Sequence, residues 1–277
     1  MNNFGGNWTS QKIEIVTSYT QAYLKVMTNQ SFKLIYFDGF AGSGDIEKQD
    51  EDIIQGAALR VLAIDDPKIF DIYYFVELVK KYAENLKAQI DIKFPYPSRN
   101  CFVKSEDCNV KIKDMANYLL KPENEFTKVL AFIDPKGMQV KWESLTTLKG
   151  LGVDMWILVP LGMGVTRLLK KDGNISDTWV NRLKIFLGMQ EDEIRNYFYA
   201  DQRINLFGDV ENGQKLSNAI VRAAKLYQER LKTVFKYVSQ PYVLRNSKNS
   251  PMYHFYLATN NTTAIKIAND VIKPRFQ

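Results

Sequence analysis

Hydrophobic and polar positions alternate in blocks along the first 160 residues of the chain. Five short apolar runs predict buried strands, and nearly all are followed by segments with helical spacing. The predicted strands cover residues 33–38, 72–76, 101–103, 129–133 and 153–159. Because parallel strands need a long connection between them, this alternation predicts an α/β fold with a mostly parallel sheet and helices on both faces.

Helical spacing also predicts how the connections fold. The chain opens with a predicted helix that ends near residue 27, with Thr9 or Ser10 as its N-cap. Further helices are predicted over residues 53–64, 79–89, 110–120 and 263–272, and loops over the acidic segment 45–52 and the proline-containing segment 94–97.

The pattern changes after the fifth predicted strand. Residues 161–232 are more polar and have helical spacing, which predicts a helical insertion or cap within a single domain spanning 1–277. Two runs rich in aromatic and β-branched residues, 235–244 and 252–257, then flank a polar turn. Such a pair predicts a β-hairpin.

Composition narrows the class of protein. The 277 residues are 45% hydrophobic and 25% charged, which suits one large domain. The net charge of +6 favours a polyanionic partner such as nucleic acid, although ordinary surface lysines account for it equally well. With only Cys101, Cys108 and His254 available, we expect neither a disulfide framework nor a metal site. No signal peptide or membrane-length apolar run is evident, so a soluble cytoplasmic protein is expected.

A glycine-rich loop follows the first predicted strand. That strand ends at Asp38, and Gly39, Gly42 and Gly44 come within the next six residues. A loop with few Cβ atoms lets a nucleotide-like ligand approach the backbone closely. A tight turn without a ligand is the alternative. The Gly-Lys-Ser/Thr ending of a phosphate-binding loop is missing.

Acidic residues mark the ends of four of the five predicted strands. Asp38, Glu77, the pair Glu106 and Asp107, and Asp134 each lie at or next to a strand end. Because ligands bind at the carboxyl ends of the strands in open α/β sheets, these acids predict one shared site.

The segment from Asp38 to Gly44 resembles the first motif of S-adenosylmethionine-dependent methyltransferases. The order of predicted strands is similar to the Rossmann-like class I methyltransferase fold, whose seventh strand inserts antiparallel into the sheet. The resemblance implies S-adenosylmethionine as cofactor, with Glu77 on its ribose and Asp107, narrowly preferred over Glu106, on its adenine edge beside Cys108. The alternative for Glu77 is an acid at a helix N-terminus that the helix dipole stabilises, and the alternative for Asp107 is an N-cap of the following helix. The glycine loop would contribute Asp38, Gly39, Phe40, Ala41, Gly42 and Gly44.

A fourth motif follows residue 133. Asp134-Pro135-Lys136-Gly137 is similar to the Asp/Asn-Pro-Pro-aromatic motif of methyltransferases that act on exocyclic amines. The resemblance implies that Asp134, Pro135 and Lys136 form the catalytic set, with Asp134 orienting or deprotonating the acceptor. The second proline and the aromatic residue are absent, so the stacking surface for a flat base is missing from the motif. Met138 and Trp142 are the candidates to replace it.

A narrower resemblance combines several of these segments. The Trp8-x-x-x-Lys12 opening, residues 36–44, the Asp-Pro-x-Gly motif and residues 252–260 resemble the bacterial three-Cys-motif partner family. The resemblance adds Lys12 to the cofactor-binding set and implies a partner protein with three cysteines, similar to radical S-adenosylmethionine enzymes. Two functions follow as hypotheses: methyl transfer to nucleic acid, or a non-catalytic module that binds this partner.

Some remaining residues have structural interpretations. His254 is predicted to pack within its strand, and the aromatic cluster 197–199 to pack in a helical core rather than to stack on bases. Arg167, Lys170 and Lys171 form a basic patch that either meets phosphates or is solvated.

Overall fold

A computed structural model describes residues 8–47, 53–95, 100–199, 203–204, 210–211 and 215–273. The strands are β1 (Lys33–Asp38), β2 (Asp45–Glu47), β3 (Ile53–Gln55), β4 (Ile72–Val76), β5 (Cys101–Lys104), β6 (Thr127–Ile133), β7 (Val153–Val159), β8 (Arg203–Ile204), β9 (Val210–Glu211), β10 (Tyr237–Val238), β11 (Tyr242–Arg245) and β12 (Pro251–Thr259). The α-helices are α1 (Trp8–Met27), α2 (Ala57–Leu62), α3 (Lys80–Lys93), α4 (Cys108–Leu119), α5 (Trp142–Thr146), α6 (Thr166–Leu168), α7 (Asp177–Leu187), α8 (Glu191–Phe198), α9 (Ala219–Val234) and α10 (Thr262–Ile272). A 3-10 turn at Pro122–Asn124 and a π-helical turn at Leu161–Val165 complete the described elements.

The central sheet has the order β5-β4-β1-β6-β7-β12-β10, and β11 also pairs with β12. Strands β1, β4, β5, β6 and β7 pair in parallel, whereas β12 runs antiparallel to β7. All five apolar runs are strands, and the predicted Rossmann-like α/β sheet with an antiparallel last strand is confirmed. The carboxyl ends of the parallel strands therefore share one edge, which places the strand-end acids near one another.

Both faces of the sheet are covered. Leu34 and Tyr36 of β1 pack into a core with α1, α2 and α10, and the alternate residues Ile35 and Phe37 pack into a second core with α4, α5 and α7. Side chains of a strand point alternately to opposite faces, and here both faces are apolar. A strand buried on both sides reads as a continuous hydrophobic run, which is why the sequence predicted these strands well.

The predicted hairpin is confirmed by the antiparallel pair β11 and β12, but its first strand is interrupted. Residues 235–244 do not form one strand; they form β10 and β11, which both pair with β12. Pro241 lies between them and has no N–H to donate to a ladder, so the strand is interrupted there. The sheet consequently has eight strands rather than the predicted seven.

Three other predicted elements are wrong near their starts. The helix predicted over 53–64 begins with β3, which pairs with β2, and only α2 is helical. The N–H of Gly56 donates to the Gly44 carbonyl at 2.7 Å, and this bond turns the chain before α2. Helix α1 already includes Thr9 and Ser10, so neither is its N-cap. The predicted acidic loop 45–52 is wrong at its start, because Asp45–Glu47 form β2 and pair with β3. Residues 48–52 of that loop lie outside the described residues, as do residues 96–97 of the predicted loop 94–97.

The segment after β7 contains the π-helical turn, helices α6 to α9 and the β8–β9 pair. Its description as an insertion within a single domain stays a prediction. Among the described residues, no helix is both long and apolar enough to cross a membrane.

Gly39 is the position where the glycine loop passes over the second core. A Cβ added there would lie 2.5 Å from the Cys108 Sγ and 2.9 Å from the Ile133 Cδ1. We expect Gly39→Ala to lower the free energy of unfolding by about 1–3 kcal/mol, because this core has no room for the methyl group. Denaturant unfolding measures the change. Gly137→Ala is the matched control, since its added Cβ meets nothing within 4 Å; equal losses in both variants would contradict the expectation.

Candidate functional site

A cavity of about 1150 Å³ opens at the carboxyl edge of β1, β4 and β6. Its walls come from the glycine loop, the residues after β4, one face of α3, the residues after β6, and α1. A cleft of this size at this edge has the place and volume of a small-molecule or cofactor site in an open α/β sheet.

The glycine loop forms the floor of the cleft. Gly42 and Gly44 have φ angles of +66° and +94°, which favour glycine. A Cβ on Gly42 would meet nothing within 4 Å, so the loop backbone faces open space. Phe40 and Ala41 also line the cleft, whereas Gly39 lies beneath the loop and does not.

Glu77 joins the end of β4 to the glycine loop. Its Oε2 accepts the Gly42 N–H at 3.0 Å and its Oε1 accepts the Val79 N–H at 2.9 Å. The carboxylate is thereby fixed within the cleft, where the sequence predicted it. A carboxylate has about four lone-pair sites, so it retains capacity for further hydrogen bonds.

Exposed apolar side chains follow Glu77 at the rim. Leu78 is 64% exposed, Val79 46% and Tyr82 39%, and all three line the cleft. Exposed hydrophobic side chains grouped at one cleft mark a surface that a ligand covers. Sequence reasoning missed these residues. The sequence does contain a signal for them, since the apolar pair Leu78 and Val79 directly follows Glu77 at the end of a strand.

Asp38 is buried at the base of the cleft. It is 1% exposed, and its Oδ1 accepts the Phe40 N–H at 3.1 Å. Burial raises the pKa of Asp38 from its ordinary value of 3.8 to about 8. The Phe40 N–H opposes that rise in pKa, and the negative charges of Asp134 and Glu77 add to it. The positive charge of Lys12 also opposes the rise in the pKa of Asp38.

The raised pKa of Asp38 predicts how stability depends on pH. A carboxyl whose pKa is higher in the folded state binds more protons there, so its stabilising contribution is full below about pH 4 and is lost as the pH rises to about 8. Asp38→Asn removes this titration and keeps an oxygen for the Phe40 N–H. We expect the difference in unfolding free energy, Asp38→Asn minus wild type, to increase by about 1.4 kcal/mol for each pH unit between pH 5 and 8. Urea unfolding across this range measures the gain, and a pH-independent difference would refute the assignment.

Lys12 and Asp134 form an ion pair across the cleft. Lys12 lies on α1, and its Nζ binds the Oδ2 of Asp134, which follows β6. Both side chains are 16% exposed. Within the described part of the chain, no hydrogen bond is made to the Asp134 Oδ1. Pro135 and Lys136 also line the cleft, so the structure brings together the whole predicted catalytic set and Lys12.

Asp107 and Cys108 do not line the cleft. The Asp107 carboxylate caps α4 by accepting the Asn109 N–H at 2.7 Å, and Cys108 is buried beneath Gly39. Burial raises the pKa of the Cys108 thiol, which suits a packed side chain. The capping role of Asp107, one of its two predicted roles, is confirmed; the adenine contact stays a prediction.

Neither candidate for the missing stacking surface lies at the cleft. Trp142 is buried and packs edge-on against Tyr227, with ring centroids 5.8 Å apart. Met138 packs against Gly164. The structure thus separates both residues from the position that they were predicted to fill. Tyr253 of β12 does line the cleft, and sequence reasoning missed it.

Other sequence interpretations are confirmed as packing. His254 is buried, and burial, with a contribution from Arg245, lowers its pKa to about 4. Phe198 and Tyr199 are buried in the helical core. In the basic patch, Arg167 is exposed, while the Lys170 Nζ lies 5.5 Å from the centroid of the Trp179 ring.

Within the described ranges, no three His, Cys, Asp or Glu residues are grouped in a way that could hold a metal ion.

The fold has counterparts among solved structures. The chain is similar to a Legionella pneumophila protein of the family DUF519, with a TM-score of 0.54, 12% identity, and coverage of 98% of this chain and 92% of that one. Trm1 from Pyrococcus horikoshii, solved with S-adenosyl-L-methionine, matches with a TM-score of 0.46 and 10% identity over 97% of this chain and 58% of that one. An rRNA methylase from Streptococcus thermophilus matches with a TM-score of 0.37 and 8% identity, over 90% of this chain and 95% of that one.

These identities concern the fold alone. The sheet order, with β12 antiparallel beside β7, confirms the predicted class I methyltransferase-like fold. Comparison with protein-family models and with curated protein sequences gives no match.

Proposed function

We propose that this protein binds S-adenosyl-L-methionine in the cleft and transfers its methyl group to an acceptor in nucleic acid. The observation that carries the proposal is the convergence of Asp38, Glu77 and Asp134 from three parallel strands on one cleft. These acids lie beside a glycine loop whose backbone faces open space.

The residues of the cleft fit this cofactor. Its ammonium group is positive, and the Asp38 carboxyl lies at the base of the cleft, where the amino-acid half would bind. Its ribose has two neighbouring hydroxyls. Both can donate charge-assisted hydrogen bonds to the Glu77 carboxylate, which the Gly42 and Val79 N–H groups hold in place. Its adenine is flat and apolar on both faces, and Leu78 and Val79 offer exposed apolar surface next to Glu77. Asp38, Phe40, Ala41, Gly42 and Gly44 would hold the amino-acid half.

The protein's own residues would orient the acceptor. The bound cofactor supplies an activated methyl group. Lys12 holds the Oδ2 of Asp134. The Oδ1 is then placed to accept a hydrogen bond from the acceptor amine and to direct the lone pair of that amine at the methyl group. The Pro135 carbonyl would take a second hydrogen bond from the same amine. Closure of the cleft by substrate would exclude water, which strengthens both hydrogen bonds.

Charge supports nucleic acid as the substrate. Lys81 and Lys136 line the cleft with exposed side chains. Cations at the mouth would contact phosphates while the acids inside contact the cofactor and acceptor. In this proposal, residues 161–232 form an insertion of the single domain that recognises the substrate.

We further propose that the chain belongs to the three-Cys-motif partner family and works with its three-cysteine protein in the cytoplasm. Two segments on which that resemblance rests, Lys12 and the Asp134 motif, meet in one ion pair, which supports a shared function for them.

The alternative is a non-catalytic module that keeps the fold and binds this partner. The observation in its favour is the fourth motif, in which Lys136 and Gly137 replace the second proline and the aromatic residue.

Two measurements on the intact chain test the proposal. Calorimetry with S-adenosylhomocysteine tests the site, and absence of binding would reject it. Incorporation of label from methyl-labelled S-adenosylmethionine into cellular RNA and DNA tests the reaction. Binding without any incorporation would favour the non-catalytic module.

A further inference from the structure

The connections at the carboxyl edge of the sheet are divided by charge. Asp38 and Glu77 follow β1 and β4, and Asp134, after β6, is paired with Lys12. Beyond Asp134 the sign changes: residues 135–141 and 239–259 contain no acid, and Asp172 is the one acid of residues 160–176. One side of this edge therefore suits a positively charged ligand, and the other side suits a polyanion.

Two segments of the basic side are in contact with each other. Gly162 of the π-helical turn lies against the start of β12, where an added Cβ would overlap the Pro251 carbonyl oxygen. The turn between β11 and β12, residues 246–250, is therefore next to the segment that follows β7. Because β12 runs antiparallel to β7, this turn lies at the same edge of the sheet as the cleft.

The cations of these two segments are exposed and have no carboxylate partner. They are Arg167, Lys170 and Lys171 after the π-helical turn, with Arg245 and Lys248 at the β11–β12 turn. Within the part of the chain that the structure describes, none of them forms an ion pair. Like charges on adjoining segments repel one another, and a bound polyanion relieves that repulsion.

The β11–β12 turn holds its cations in place. The Asn246 Oδ1 accepts the Lys248 N–H at 3.0 Å and the Ser250 N–H at 2.9 Å. The Arg245 Nη1 donates to the Asn249 carbonyl at 3.0 Å. A turn that its own hydrogen bonds already fix loses little conformational entropy when it binds a partner.

We propose that Arg167, Lys170, Lys171, Arg245 and Lys248 form one cationic surface that binds phosphates of the nucleic acid beside the acceptor nucleotide. This inference rests on the proposed function, because it assigns the surface over which the substrate of that cleft would lie. Arginine and lysine contact phosphate oxygens without reading the bases. The cationic surface thus supplies affinity and orientation, and the cleft selects the acceptor.

The test variant combines Arg167→Gln, Lys171→Gln and Lys248→Gln. These side chains have no hydrogen bond or ion pair with other described residues, so glutamine removes charge without breaking an internal contact. The matched control combines Lys25→Gln, Lys121→Gln and Lys149→Gln. It removes the same charge from exposed lysines that each precede a parallel strand, and which therefore lie toward the opposite edge of the sheet.

Fluorescence anisotropy of a labelled single-stranded oligonucleotide, as RNA and as DNA of the same sequence, measures affinity for the intact protein at several salt concentrations. With the test variant, we expect both oligonucleotides to bind at least about tenfold more weakly. The slope of log affinity against log salt should become shallower by about 2, because each phosphate contact on a single strand contributes about 0.7. A loss no larger than that of the control, or a wild type that binds neither oligonucleotide, would overturn the inference.

A measurement on the wild type removes dependence on any variant. Acetylation of lysines followed by peptide mass spectrometry is expected to show Lys171 and Lys248 protected by bound nucleic acid, with Lys25, Lys121 and Lys149 still reactive. Full reactivity of Lys171 and Lys248 in the complex would contradict the cationic surface. Failure of the wild type to bind S-adenosylhomocysteine would instead overturn the proposed function. Both oligonucleotide measurements need no cofactor, so the two failures are separate results.

Discussion

Asp134→Ala is expected to reduce methyl transfer at least about a hundredfold while the protein still binds S-adenosylhomocysteine. Positioned side chains that accept a proton or a hydrogen bond in the transition state contribute about 10²–10⁴-fold to rate. Asp134 is the acid after β6 in the cleft, and Lys12 fixes its orientation through Oδ2. Alanine removes both the oxygen that orients the acceptor and the partner of Lys12. Labelled methyl incorporation under saturating cofactor measures the effect.

The control for this variant is Asp114→Ala. Asp114 is an exposed aspartate of α4 that pairs with Lys111 and does not line the cleft. It should leave incorporation unchanged. Asp134→Asn then separates two roles, because the amide keeps an accepting oxygen but cannot take up the proton. Wild-type incorporation by Asp134→Ala would show that the acceptor is oriented by other groups.

Glu77→Ala is expected to weaken the binding of S-adenosylhomocysteine at least about a hundredfold. Hydrogen bonds to a charged group contribute about 1.5–3 kcal/mol each, and the variant loses those to both ribose hydroxyls. It also loses the bonds that the carboxylate accepts from Gly42 at 3.0 Å and Val79 at 2.9 Å, which hold the loop against the end of β4. Isothermal titration calorimetry gives the change in affinity directly.

Glu84→Ala is the matched control for Glu77. Glu84 lies on α3, exposed, with its carboxylate 3.8 Å from the Lys80 Nζ. Cofactor affinity in this control should equal that of the wild type. Equal affinity in Glu77→Ala itself would remove Glu77 from the cofactor site. The two predictions are independent, because Glu77 acts on cofactor affinity and Asp134 on transfer from bound cofactor.

The strands were predictable because of where they lie. Strands β4 and β7 match the predicted bounds, since parallel strands covered on both faces leave short apolar runs bounded by polar residues. Elements outside the central sheet, such as the β2–β3 pair, were less predictable. Residues 53–55 continue a helical pattern, yet they pair with β2 because a backbone bond from Gly56 to Gly44 turns the chain there. Local pattern carries no information about that partner.

The acids of the site were predictable for the same reason. Each of Asp38, Glu77 and Asp134 directly follows an apolar run, and parallel strands bring their carboxyl ends to one edge. The exposed apolar rim of Leu78, Val79 and Tyr82 was not predicted, because exposure depends on what packs nearby.

By itself, the sequence determined the parallel sheet, the glycine loop and the acids that meet above it, because these follow from residues that are neighbours in the chain. Only the tertiary structure decided the partners of those groups. Lys136 and Tyr253 lie 117 positions apart, and they meet because β12 enters the sheet antiparallel beside β7. Burial of Asp38, and with it the rise in its pKa, likewise depends on packing from several elements at once. Contacts between distant segments depend on strand order and direction, which no local pattern of residues specifies.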